Sequence, residues 1–435
     1  MKKSLLAVAA LGAFASAAQA QSSVTVYGIL DVGYIGANTQ LRTNDSGTQA
    51  NGGTGAANSP ALKATTNQFS QSAEQTSRLG FKGTEDLGGG SSAFFTAEFQ
   101  LYPSDGTLSG NSSAGLLNRQ TFVGLKKNGI GQAAVGTQYT PVFNTAAATD
   151  VGQLNNIAGN VIYAAGGNGA GATGIAFTSR TSNTLSVQSD SFSGFKASAV
   201  AILNAKNGTE VYSGSGSAVG GNTNTTGWGL GLDYTWNKLY ASAAYQTLKQ
   251  VTTATNVLTP SSANNGLFST AQGGGATAAP SGTAYCVAVG ATAPSTCPLN
   301  INDNQFIAGA TYDFGILKAY ANYINRKATA TQNSGYYLSR AAEQIGVRSF
   351  ITPTVEGWAS AGLGRYTSMG NSQPTANFNG WQLGSNYWLS KRTNLYAIYG
   401  QVVTSQASYV NLITSATQSG SFTSSQYALG LRHTF

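Results

Sequence analysis

The chain has 435 residues, of which only 9% are charged, while Gly occurs 55 times, Tyr 21 times and Phe 18 times. Soluble domains carry roughly 25% charged residues, so a globule wetted on every side is excluded unless much of its outside faces something other than water. The formal net charge is +8, but the basic residues are dispersed rather than gathered into a stripe or helix face, which argues against nucleic acid as partner.

The first element is an address. Lys2 and Lys3 precede an apolar run from Leu5 to Phe14 and a small-residue stretch ending Ala18, Gln19, Ala20, which predicts a secretory signal peptide over 1–20 cleaved after Ala20. Its apolar run is too short for a spanning helix of ~20 residues. Residues 21–435 contain no linker and read as one unit. All 15 acidic residues lie in it with 21 of the 23 basic ones, a modest positive excess that favours anions if the charges line a lumen.

Period-two alternation dominates the rest. In its clearest stretch, Trp228, Leu230, Leu232, Tyr234 and Trp236 alternate with Gly and polar residues. The pattern predicts sixteen strands at 24–38, 77–87, 91–102, 118–127, 132–139, 176–190, 195–204, 228–237, 239–249, 304–314, 316–327, 343–351, 356–367, 379–389, 393–403 and 426–435. Most are near the ~9–11 residues that a tilted strand needs to cross hydrocarbon.

The connections alternate in length. Short turns fall at 88–90, 128–131, 191–194, 315, 352–355 and 390–392, and between them lie long Gly-, Ser-, Thr- and Asn-rich loops, including 40–76, 205–226, 250–303 and 405–425. That asymmetry predicts an all-β fold: a transmembrane antiparallel up-and-down barrel of sixteen strands, with short periplasmic turns and long extracellular loops. Lipid offers no hydrogen bonds, so the first strand must close on the last. A barrel of that circumference is too wide for its own side chains to fill and leaves an aqueous channel unless something plugs it.

Residues with other chemistry are few. Cys286 and Cys297 lie in a polar loop of an exported chain, where a disulfide is the favoured reading. The sole His, His433, is far from them in sequence, so no metal set is complete and no metal or cofactor is expected. His433 alternates with outward Leu431 and Phe435 near the chain end, which favours an interfacial role over a catalytic one, and no enzyme activity is expected.

At Ser77-Arg78-Leu79-Gly80-Phe81-Lys82-Gly83-Thr84-Glu85-Asp86-Leu87-Gly88 the chain closely resembles the trimeric general porins of Gram-negative outer membranes, in the form common among betaproteobacteria. The resemblance also takes in Ser23-Val24-Thr25-Val26-Tyr27-Gly28, Arg119-Gln120-Thr121-Phe122-Val123-Gly124-Leu125, Gln138-Tyr139-Thr140-Pro141, Phe192-Ser193-Gly194-Phe195, Leu389-Ser390-Lys391-Arg392-Thr393 and Gly430-Leu431-Arg432-His433-Thr434-Phe435. It implies a homotrimer in the outer membrane, in contact with lipid and lipopolysaccharide, passing small hydrophilic solutes and inorganic ions by passive diffusion. The alternative is a substrate-selective channel, for which inward aromatics such as Tyr27 and Tyr320 are too few to argue. The terminal Phe435 looks like the family's assembly signal.

The resemblance further implies a third extracellular loop, about 141–174, folded inward with Asp150 as its acid, facing a basic ladder on the wall. Period two places the wall residues: with Leu79 and Phe81 outward, Arg78 and Lys82 point inward, and with Phe122 outward, Arg119 and Thr121 point inward. Arg180 is expected as a third basic member, and Glu98, sharing a face with Phe94 and Thr96, as a lumen acid. The family's frequent basic residue before Gln138 is Thr137 here. One acid facing two or three basic groups predicts a positive throat.

Overall fold

The computed structural model describes residues 23–43, 62–108, 115–164, 176–207, 211–212, 218–219, 222–252, 301–330, 337–369, 376–410 and 417–435. The expected signal peptide, the Cys286–Cys297 pair and residues 165–175 of the third loop lie outside them. Within them the alternating segments become sixteen barrel strands. These are β1 (Ser23–Thr43), β2 in two pieces (Leu62–Gln71 and Arg78–Gly88), β3 (Ser91–Gln100), β4 (Leu117–Lys127), β5 (Gly131–Tyr139), β6 (Arg180–Ser189), β7 (Phe195–Asn207) and β8 (Asn222–Trp236). They continue with β9 (Leu239–Thr252), β10 (Ile301–Asp313), β11 (Lys318–Ala330), β12 (Tyr337–Phe350), β13 (Val355–Met369), β14 (Ala376–Trp388), β15 (Thr393–Val410) and β16 (Thr417–Thr434).

Each strand pairs antiparallel with its sequence neighbours, and β1 closes the circle on β16 in the register Ile29↔Thr434 to Thr43↔Gly420. The last residue completes the seam: Gly28 N donates to Phe435 O and Phe435 N to Gly28 O, both at 3.1 Å. No edge is left to lipid, which is the condition for a spanning sheet.

Several strands run further than the sequence reading, β16 starting at Thr417 rather than 426 and β12 at Tyr337 rather than 343, and two differences go beyond length. Leu62–Gln71, expected inside a long loop, pairs with Val32 to Leu41 as the outer half of β2. Its polar composition hides the period because this part of the strand has little apolar surface to bury. Conversely, 176–179 is not strand: Ala176, Phe177, Thr178 and Ser179 are buried on the return of the third loop, and β6 starts at Arg180.

The outward face carries the greasy half of the alternation, with Leu230 54% and Trp236 67% exposed on the isolated barrel. Aromatic pairs such as Phe195–Tyr234 at 4.4 Å and Tyr312–Phe314 at 4.7 Å sit beside the short turns, where an interfacial girdle belongs. Leu230, within the outward run Trp228, Leu230, Leu232, tests this orientation. L230R is expected to destabilise the barrel by about 2–4 kcal/mol in urea titrations from lipid vesicles; an unchanged midpoint would take Leu230 off the lipid face.

The inside is partly filled. Helix α1 (Pro141–Thr149) forms where Thr140 caps it, its Oγ1 accepting from Phe143 N at 3.2 Å, with Pro141 in the first turn and an Ala-rich run behind. It buries Val142, Thr145, Ala146 and Thr149 against the inner faces of β7 to β11. The following 150–164 run along the wall from β12 to the break in β2 and back, Asn156 meeting Ser72, Ala158 meeting Gln426 of β16 and Val161 meeting Gln344 of β12. Inward glycines allow the approach: a Cβ at Gly346 would stand 2.6 Å from Val151 Cγ1, and one at Gly380 2.5 Å from Gly159 O.

Candidate functional site

Three guanidinium groups converge on the inner wall where β2, β3, β4 and β6 pass the root of the third loop. Arg119 Nε donates to Glu98 Oε1 at 2.7 Å and its NH2 to Tyr139 Oη at 2.8 Å. Arg78 NH1 stands 4.0 Å from the same Glu98 oxygen, and Tyr27 Oη donates to Glu98 Oε2 at 3.2 Å. The Arg180 guanidinium lies 5.9 Å from the centre of the Tyr139 ring, and its buried NH1 has no hydrogen-bond partner among the described residues. Tyr139 in turn stacks on Phe143 of α1 at 4.0 Å, so the helix that starts the loop also braces the arginines.

Glu98 is 3% and Arg119 6% exposed, so the carboxylate is spent on holding guanidinium groups in place. One acid among three arginines leaves a positive excess. Lys82 stands apart on the exposed periplasmic side of β2, its Nζ 5.4 Å from the centre of the Tyr27 ring.

Arg119 reaches this cluster by a route that simple alternation misses. The expectation that Phe122 faces lipid is corrected: Phe122 packs edge-on against inward Phe94 at 6.3 Å, while Val123 and Leu125 face outward at 62% and 61% exposure. Regular alternation from Val123 would turn Arg119 outward along with Thr121. A register shift intervenes, with Glu98 opposite Gln120 but Phe99 opposite Asn118. Arg119 is the extra residue of a β-bulge, the device by which a strand re-aims one side chain.

Asp150 is also corrected. The loop does fold inward, but Asp150 is 1% exposed and caps α1, its Oδ2 accepting from Leu154 N at 2.7 Å and its Oδ1 from Gln344 Nε2 at 2.8 Å. It therefore ties loop to wall and lines no water-filled passage. Burial pushes its carboxyl above the ordinary carboxylate range against the pull of those bonds.

Wall side chains latch the rest of the loop by its backbone. Asn322 Nδ2 donates to Thr149 O and Arg348 NH1 to Val151 O, each at 2.8 Å; Gln382 Nε2 donates to Ile157 O at 2.8 Å; Gln426 Oε1 accepts from Ala158 N at 2.9 Å. These inward polar residues, and the buried pairs Arg326–Asp303 at 2.6 Å and Arg348–Glu356 at 2.5 Å, escaped the sequence reading. Their signal was parity: they alternate with outward side chains, as Arg348 does with Val347 and Gln382 with Leu383. His433 Nδ1 shares a 2.9 Å hydrogen bond with Thr393 Oγ1 at the exposed strand ends, and Phe435 lies at the seam.

A barrel of this build, narrowed by an inward loop beside a basic cluster, matches the family model for Gram-negative porins over residues 7–407. The chain belongs to the Gram-negative porin family. It is a family of outer-membrane channels rather than enzymes, and membership places this porin in the Gram-negative outer membrane.

Curated relatives include outer membrane porin protein 32 of Delftia acidovorans, 34% identical over 199 residues covering 45% of this chain and 48% of that protein. Another is an outer membrane porin protein of Bordetella pertussis, 34% identical over 200 residues covering 45% of this chain and 46% of that protein. The chain thus spans about half the length of the curated relatives it matches. Among solved structures the porin fold matches an anion-selective porin from Comamonas acidovorans with TM-score 0.63 at 21% identity, covering 95% of this chain and 100% of that one. The trimer form of OmpT from Vibrio cholerae follows at TM-score 0.55 and 13% identity, covering 95% and 99%.

Proposed function

We propose that this porin is a general diffusion channel passing small hydrophilic solutes and ions through the outer membrane with a preference for anions, that it works as a homotrimer, and that it catalyses no reaction. The observation that carries the reading is the guanidinium trio of Arg78, Arg119 and Arg180 around the single carboxylate of Glu98. Unit charges 4 Å apart in bulk water interact by about 1 kcal/mol, and low-dielectric walls focus such a field along a narrow passage. An anion at the narrowest point is favoured and a cation disfavoured by comparable amounts, without any site deep enough to trap either.

Of the acids elsewhere on the inner wall, Asp303, Glu356 and Glu74 do not oppose this field, because each has an arginine partner. The selectivity named for the Comamonas porin and the trimer form of the Vibrio protein agree with the reading. The contacts of the narrowing loop with the wall favour a static aperture.

Planar-bilayer recording tests it. The expected result is conductance in triplet steps, ohmic at moderate voltage, with a reversal potential in a KCl gradient that gives chloride the higher permeability. Equal permeability, or preference for potassium, would sink the anion assignment. Saturating block by one solute class at low concentration would instead indicate a substrate-selective channel.

A further inference from the structure

Between its two pieces, β2 leaves the sheet. Ser72 to Ser77 tuck into the lumen, Ser72 with a φ of 64°, and Ala73, Glu74 and Ser77 are buried. One side chain organises the tuck. Asp31 of β1, fully buried, accepts from Glu74 N at 2.9 Å and from Gln75 N at 2.6 Å on Oδ2, while its Oδ1 accepts from Tyr396 Oη at 2.6 Å. Its backbone is clamped as well: Ser72 N donates to Asp31 O at 2.9 Å, and Asp31 N donates to Ser77 Oγ at 3.0 Å.

The tuck faces both halves of the constriction. Arg78 Nε donates to Thr76 O at 2.9 Å and Arg78 NH2 to Gln75 Oε1 at 3.3 Å. On the other side Gln75 Nε2 donates to Gln153 O at 2.8 Å, Asn156 N to Ala73 O at 2.9 Å and Asn156 Nδ2 to Ser72 O at 2.6 Å. Gln75 is thus a crossbeam, one end on the arginine and the other on the apex of the inward loop.

We propose that Asp31, acting through the Ser72–Ser77 tuck and the Gln75 crossbeam, is a positioning residue for ion selectivity that fixes Arg78 at the narrowest point and ties it to the loop apex at Gln153–Asn156. The inference rests on the anion-preferring reading above. Asp31 faces no passage itself; its effect on permeation runs through where Arg78 stands. Glu74, paired with Arg432 at 3.5 Å and accepting from Asn394 Nδ2 at 3.0 Å, anchors the tuck to β15 and β16.

The sign of one substitution separates positioning from plain charge. Removing a lumen carboxylate raises anion preference if the charge is all that matters. An Asn at position 31 can keep the bonding pattern, its Oδ1 accepting from Glu74 N and Gln75 N and its Nδ2 donating to Tyr396 Oη, whereas Ala keeps none of it. Chloride-to-potassium permeability ratios from reversal potentials in a KCl gradient should therefore stay level or rise in D31N and fall in D31A. The fall expected is up to about fivefold in the ratio, about twofold on each ion in opposite directions, the effect of moving one unit charge from about 4 to about 8 Å from the ion in water. Q75A, which changes no charge, should lower the ratio in the same direction, and neither substitution should add to R78Q.

Equal rises in D31N and D31A would overturn the proposal, as would a Q75A shift that persists undiminished on top of R78Q. Should D31A fail to acquire the folded, heat-modifiable mobility of the wild type, Q75A alone and with R78Q decides. A wild-type ratio at or below one would refute the anion reading, yet the shifts relative to R78Q would still decide the role of Asp31.

Discussion

Replacing Arg78, Arg119 and Arg180 together by Gln is expected to turn the channel from chloride-preferring to potassium-preferring. The trio holds three positive charges within reach of one carboxylate, and the substitution leaves Glu98 with Tyr27 as its hydrogen-bond donor. With about 1 kcal/mol per unit charge at 4 Å in water, and opposite effects on anion and cation, the permeability ratio should fall by about tenfold or more at low salt. Raising the salt should shrink the change, since the screening length drops from about 10 Å at 0.1 M to about 3 Å at 1 M. Adding E98Q to the triple variant should bring the ratio back towards unity. A triple variant with wild-type reversal potential would remove these arginines from the conduction path.

Among them Arg119 should matter most for folding and Arg78 most for the passing ion. Arg119 is committed to Glu98 and Tyr139 at hydrogen-bond distance, whereas Arg78 only reaches 4.0 Å from the carboxylate and keeps 17% of its side chain exposed. R119Q strands a buried carboxylate; R78Q does not. The two single variants should therefore separate, R119Q showing the larger loss of stability and R78Q a selectivity change with little loss.

The barrel was legible because strand physics repeats: a sheet with lipid on one side and water on the other needs alternation in every strand, and sixteen copies of a weak signal add up. Leu62–Gln71 escaped because a strand end standing clear of hydrocarbon need not alternate. The interior was harder. α1 carries no long amphipathic period, being nine residues held by a Thr cap and by the wall it packs on.

Side-chain facing survived only where pairing is regular. Arg78 and Lys82 follow from Leu79 and Phe81, but Arg119 faces inward by virtue of a bulge that no alternation announces. Asp150 shows a second limit. An acid on an inward loop has two sides to face, and Gln344 together with Leu154 N turned it to the wall. Asp31, by contrast, was within reach of the sequence: it shares parity with inward Tyr27, and an acid on a lumen face asks for donors.

Arg348→Ala is expected to cost about 3–5 kcal/mol of stability, because it leaves Glu356 buried without its cation. Arg348 in β12 donates to Glu356 Oε1 at 2.5 Å and Oε2 at 2.9 Å across the short turn into β13, and its third nitrogen holds Val151 O of the loop at 2.8 Å. What remains to Glu356 in the variant is Asn386 Nδ2 at 3.3 Å and Trp388 Nε1 at 3.4 Å, too long and too neutral to replace a guanidinium fork. The double variant R348M/E356L removes both charges and should recover most of the loss in urea titrations from lipid vesicles, since a buried ion pair and a well-packed apolar pair are of similar worth. Because the pair carries no net charge, the double variant should also keep the wild-type reversal potential, in contrast to every change at Arg78. If the double variant is as unstable as R348A, the stranded carboxylate is not the cause, and the weight falls on the bond to Val151 O, one of those by which β12 holds the loop.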